Sequence, residues 1–141
     1  MPKMIFVNLP VKDLAAATRF YKAIGCEKND QFSNEQASMM AWSDTITFML
    51  LTHEYFSTFS PNRIADAHQT TEVLLCLSRD SRQEVDAICT AAAATGGKSD
   101  VRPPQDMGFM YSRAFADPDG HVFEPMYMDM KAASEAMGKP Q

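Results

Sequence analysis

A chain of 141 residues with 45% hydrophobic and 22% charged side chains has the balance of one ordinary globular domain with a real core. Its formal net charge of -5 argues against nucleic acid as a partner, because clustered Lys and Arg supply most nonspecific phosphate affinity. No apolar run reaches the roughly 18 residues of a membrane span, and Cys26, Cys76 and Cys89 form no C-x-x-C pair and sit in apolar patterns as free thiols; a soluble protein of the reducing cytoplasm is expected.

The first apolar stretch, Met4 to Leu9, lacks a basic leader and a small-residue cleavage site and runs into Pro10, so it reads as a strand. Asp13 then caps a helix carrying Leu14, Ala17, Phe20, Tyr21 and Ile24 at helical spacing, with Gly25 as its stop. Three β-like runs follow, Glu27 to Phe32, Ala37 to Ser43 and Ile46 to Thr52. The order is β-α-β-β-β.

His53 to Thr70 is polar and repeats no pattern, which suits a linker with a helical turn or two. The order then restarts. Glu72 to Ser78 is strand-like, and Ser81 with Glu84 has the capping-box spacing for a helix through Val85, Ile88, Cys89 and Ala92. Gly96-Gly97 ends that helix, and strand-like pieces lie near Lys98 to Arg102, Phe109 to Ala116 and His121 to Asp129. A mixed tail over 131–141 is read as a short helix. The expected fold is therefore α+β with two βαβββ modules, about 1–52 and 71–130, in a single domain; a single ferredoxin-like βαβ sandwich uses the same elements in fewer copies.

Asp117-Pro118-Asp119-Gly120 carries the residues of a type I turn and should join two antiparallel strands. In the strand after it, alternation places Val122, Glu124 and Met126 on one face and His121, Phe123 and Tyr127 on the other. Glu124 thus sits among apolar neighbours. A buried carboxylate needs a metal, a cation or a hydrogen-bond donor, or else takes up a proton. Tyr111 and Arg113, on the preceding strand, are the candidates to reach it: Arg113 as a charged anchor, or Tyr111 as a hydrogen-bond donor. His121 reads as a structural histidine, and most of the 11 methionines as core filler.

Val11-Lys12-Asp13-Leu14 with Phe20-Tyr21 and Gly25, and Phe115-Ala116-Asp117-Pro118-Asp119-Gly120-His121 with Glu124, resemble the vicinal oxygen chelate superfamily over nearly the whole chain. That superfamily includes lactoylglutathione lyases, bleomycin-resistance proteins and extradiol dioxygenases. The resemblance implies paired modules forming an incomplete barrel around a cavity, with a divalent metal held by one ligand from each of four strands. It makes Glu124 the last ligand and places Phe6, Met49 and Leu74 at the other three positions, where no side chain donates a hard ligand. Shifts along the same faces would recruit Asn8, Glu72 and His53, which with Glu124 would make an irregular site for a hard divalent ion.

These readings lead to a small-molecule binding protein of the glyoxalase and bleomycin-resistance type, without the metal centre, in which Glu124, Phe6, Asn8, Met49, Leu74, Tyr111, Arg113 and Met126 form the ligand site. No cofactor is expected. One alternative is a metal-dependent lyase, isomerase or dioxygenase built on the displaced ligands; another is a scaffold with a vestigial pocket. A homodimer is expected, because the open sheets of such modules leave edges to cover.

Overall fold

The computed structural model describes residues 2–138 and is a mixed α+β fold with curled sheets that form a half-barrel. Residues 139–141 of the predicted tail lie outside the described residues.

In the first half the order is β1 (Ile5–Val11), α1 (Leu14–Ala23), β2 (Glu27–Asn29), β3 (Ala37–Ala41) and β4 (Ile46–Thr52). The Asp13 carboxylate accepts the Ala16 N–H at 3.0 Å and fixes the start of α1, while Gly25 at φ +118° supplies the left-handed residue beyond its end. β1 runs parallel to β4, and the sheet order is β1-β4-β3-β2. As an edge strand β1 tolerates Pro10, which has no N–H to give. β2 is shorter than its apolar pattern suggests, because the Asn29 side chain accepts the Gln31 N–H and turns the chain into a 3-10 turn over Asp30–Phe32.

After α2 (His53–Phe56) and an irregular linker, the second half repeats the plan: β5 (Leu75–Ser78), α3 (Arg82–Ala94), β6 (Lys98–Ser99), β7 (Gln105–Asp106), β8 (Met110–Ser112), β9 (Phe115–Ala116) and β10 (Val122–Met128), followed by α4 (Met130–Ala136). β5 runs parallel to β10, which pairs antiparallel with β8 and β9; these pair in turn with β7 and β6. The split between β8 and β9 has a chemical cause. Their common register puts Arg113 opposite Pro125, and the Arg113 N–H donates to the Pro125 carbonyl at 3.2 Å, but proline cannot return the bond. β6 and β7 are separated for a different reason. From Lys98 opposite Ala116 to Gln105 opposite Ser112, seven steps on one strand match four on the other, so three extra residues are looped out.

Both halves share one core. Phe20 and Tyr21 of α1, Phe48 of β4, Phe115 of β9 and Phe123 of β10 are fully buried, apart from a trace of Phe48 surface. Phe48 and Phe123 meet edge to face with centroids 5.4 Å apart, and Phe115 stacks on Phe123 at 5.3 Å. The helix-bearing faces of the two sheets therefore turn inward to this core. Their other faces remain for function. The methionines follow the core filler expected only in part: Met40 is fully buried, Met39, Met49, Met110, Met126 and Met128 are half-buried, and Met4, Met107, Met130 and Met137 are exposed.

Candidate functional site

Alternation along β10 buries Phe123 in the core and aims Val122 and Glu124 at the opposite face. There a cavity of about 430 Å³ lies between the second sheet and the linker, with walls that include Leu74, Val101, Arg102, Ala114, Val122 and Glu124. Gly120 lets the linker close one side. A side chain there would come within 2.7 Å of the His68 backbone nitrogen.

Glu124 is not unpaired: Arg102 donates from Nε to its Oε2 at 3.0 Å, from Nη2 to Ser112 Oγ at 2.9 Å and from Nη1 to the Pro103 carbonyl at 3.0 Å. The three looped-out residues are what make this reach attainable. Arg102 stands in the excursion between β6 and β7, which begins at Asp100 with φ +54°, a left-handed conformation that Asp tolerates better than most residues. Cys76, opposite Glu124 on β5, is exposed on this same face rather than packed in an apolar pattern as expected. Its thiol is pushed up from its ordinary range by burial and then by the Glu124 charge, with Arg102 pulling the other way. Cys26 and Cys89 do sit in the core, and burial raises them to about 12 and about 11.

Neither expected partner of Glu124 reaches it. Tyr111 donates to Asp86 Oδ1 at 2.6 Å, and Arg113 binds Asp100 through Nε and Nη2 at 3.0 and 2.9 Å and Asp86 through Nη1 at 2.9 Å. Both occupy the helix-bearing face, because the pairing of Ala116 with Val122 and of Ser112 with Met126 puts Ser112 and Ala114 on the face of Glu124. The Asp86 carboxyl is lowered chiefly by the Tyr111 hydroxyl, and the hydrogen bond from Arg113 lowers Asp100. This network anchors α3 rather than a ligand.

Leu74 does line the cavity, whereas Met126 lies farther along the strand and is not among its walls. Asn8 and Glu72 border a second cavity of about 340 Å³ at the junction of β1, β5 and the linker. Phe6, Asn8 and Met49 belong to the first sheet, where Asn8 is opposite Met49, and none of them walls the cavity at Glu124. His53 borders a third cavity, on the α1 side of the linker. The displaced set of Asn8, Glu72, His53 and Glu124 is thus spread over three places.

The donor set does not fit a divalent metal. Glu124 is the one hard donor among Phe6, Met49, Leu74 and Glu124, its free-face neighbour on β5 is a cysteine, and a guanidinium already stands at its carboxylate. Among the described residues no group of three or more His, Cys, Asp or Glu could hold a metal ion.

The side chains of Arg102 and Glu124 are 26% and 21% exposed, so water screens the pair. Glu124→Gln is expected to cost about 1 kcal/mol, since the amide oxygen still accepts from Nε while Ser112 and Pro103 keep holding the guanidinium. Urea denaturation at neutral pH measures this. A loss near 3 kcal/mol would mean that the pair behaves as a fully buried one.

The turn before β10 holds the strand in place. Asp117 is 2% exposed; its Oδ1 accepts the Asp119 and His121 N–H groups, each at 2.9 Å, and its Oδ2 accepts the Tyr21 hydroxyl at 2.6 Å. His121 Nε2 lies 2.8 Å from the Pro10 carbonyl, in keeping with a structural role. These bonds tie β1 and α1 of one half to β10 of the other.

Residues 3–124 match the family model described as the Glyoxalase/Bleomycin resistance protein/Dioxygenase superfamily. A hypothetical protein from S. aureus has a similar structure, with a TM-score of 0.76 and 26% identity over 90% of this chain and 95% of its own. A glyoxalase/bleomycin resistance protein/dioxygenase family enzyme from Burkholderia phytofirmans PsJN aligns with a TM-score of 0.73 and 19% identity over 90% of this chain and 99% of its own. The fosfomycin resistance protein FosX from Mesorhizobium loti aligns with a TM-score of 0.67 and 15% identity over 94% and 98%. The last two show the fold alone. No curated protein matches the chain by sequence. Among the described residues no helix is long and apolar enough to cross a membrane.

Proposed function

Because the chain belongs to the glyoxalase/bleomycin resistance protein/dioxygenase superfamily, and Arg102 holds the acid that the resemblance makes a metal ligand, we propose that it is a cytoplasmic small-molecule binding protein of this family that works without a metal centre. The observation that carries this reading is the Arg102–Glu124 pair in its cavity. Leu74, Val101, Ala114 and Val122 supply apolar wall, and the pair supplies a fixed polar group that orients what enters. Lyase, isomerase or dioxygenase chemistry on displaced ligands has less support, since those donors border separate cavities.

The test is an amide NMR screen of metal-free protein against a library of small organic metabolites. Binding should move the signals of Ala114, Ala116, Val122 and Glu124 together. If hits move only residues remote from this cavity, the reading is wrong.

We also expect a homodimer. Ile5, Phe6 and Val73 are 56%, 49% and 55% exposed on or beside the two leading strands, and a second copy is the natural cover for such apolar surface. Sedimentation should give twice the chain mass at micromolar concentration; monomer alone would contradict it.

A further inference from the structure

The proposed binding role leaves open what chemistry the cavity selects, and its donor and acceptor inventory narrows this. Of the five N–H donors of a guanidinium, three of Arg102 are engaged, by Glu124, Ser112 and Pro103, which leaves two. Lys98 stands at the same cavity and forms no salt bridge among the described residues. Against these donors the walls offer one carboxylate, and its Oε2 is already committed to Arg102. The charges tell the same story: Arg102 and Glu124 cancel, Lys98 is left over, and His68, the remaining ionisable wall residue, adds no negative charge. A ligand group rich in acceptors and carrying one negative charge satisfies this inventory; an ammonium group would meet a surplus of donors.

We propose that the cavity selects small organic carboxylates, with the carboxylate held by the free N–H groups of Arg102 and by Lys98, and the apolar remainder against Leu74, Val101 and Val122. The inference rests on the binding role proposed above. In it Arg102 is the resident cation of the site, and Glu124 holds it through Nε. Glu124 thus serves as a brace for the guanidinium rather than as a ligand to the bound molecule. Planar two-point contact with a carboxylate suits a guanidinium better than an ammonium, so Arg102 rather than Lys98 should dominate the preference.

Three probes of one shape decide it: 4-phenylbutyrate, 4-phenylbutanol and 4-phenylbutylamine, each titrated calorimetrically into metal-free full-length protein. The carboxylate should bind about tenfold or more tighter than the alcohol, and the amine weakest. Arg102→Gln should erase the preference, bringing the carboxylate and alcohol affinities within about twofold of each other. Should that variant fold poorly, Lys98→Glu reverses an exposed charge outside the Arg102–Glu124 pair and should still reduce carboxylate affinity several-fold. Equal or better binding of the alcohol or the amine would overturn carboxylate selection and leave the binding role standing. Failure of all three probes to bind would overturn both.

Discussion

Replacing Asp117 by Ala should destabilise the protein by about 3 to 5 kcal/mol, because each of three donors loses its acceptor and an unsatisfied buried donor costs about 1 to 3 kcal/mol. The donors are the Tyr21 hydroxyl, fully buried in the core, and the N–H groups of Asp119 and His121 within the turn. Burial raises the Asp117 carboxyl above its ordinary range, and the nearby His121, the Tyr21 hydroxyl and the backbone donor pull it down less strongly. The sign follows. The native state holds this proton to higher pH than the unfolded chain, so the group's contribution is complete below about pH 4 and is lost as pH rises through the folded value. Asp117→Asn keeps an oxygen for the turn and an amide for the tyrosine, and removes this pH dependence. Denaturation of the three proteins across pH 4 to 8 measures both effects. If Ala costs less than about 1 kcal/mol, water has replaced the lost acceptor and the turn is not the tie between the halves that its bonds indicate.

Phe123→Ala should be comparably severe, at about 4 kcal/mol, since a fully buried ring is deleted from a packed cluster that cannot close over the space. Phe123 touches Tyr21 at 5.9 Å, Phe48 at 5.4 Å and Phe115 at 5.3 Å between centroids, so one ring joins α1, β4 and β9 to β10. It also directly precedes Glu124, so the ring that fills the core fixes the direction of the acid. The midpoint and slope of a urea transition give the loss. A cost below about 2 kcal/mol would mean that the cluster relaxes into the gap.

The elements of the fold were legible where local chemistry set them. Asp13 caps α1, Ser81 accepts the Glu84 N–H at the start of α3, and the Asp117–Gly120 turn joins β9 to β10, each as its residue types predict. The capping box is only half made, because Glu84 turns to Arg79 at 2.7 Å instead of reaching back. Alternation likewise placed Glu124 and Phe123 on their proper faces. The orientation of Tyr111 and Arg113 was available too: counting outward from the turn pairs Ala116 with Val122, and continuing puts Ala114 beside Glu124. Arg102 was out of reach of such counting. It lies past a register change of three residues, and nothing in Ser99 to Pro104 states how many residues loop out or which side chain returns to the sheet. The scatter of Asn8, Glu72, His53 and Glu124 depends on how the linker lies against both halves, which local periodicity does not encode.

In the proposed function Arg102, and not a divalent metal, is the cation at Glu124. Equilibrium dialysis of apo-protein and of Glu124→Gln against micromolar Zn²⁺, Ni²⁺, Mn²⁺ and Fe²⁺, with metal counted per chain, tests it most directly. Less than about one tenth of an equivalent of tightly held metal is expected in both proteins, as a site with one hard donor beside a guanidinium requires. One equivalent bound by the wild type and lost in Glu124→Gln would contradict it.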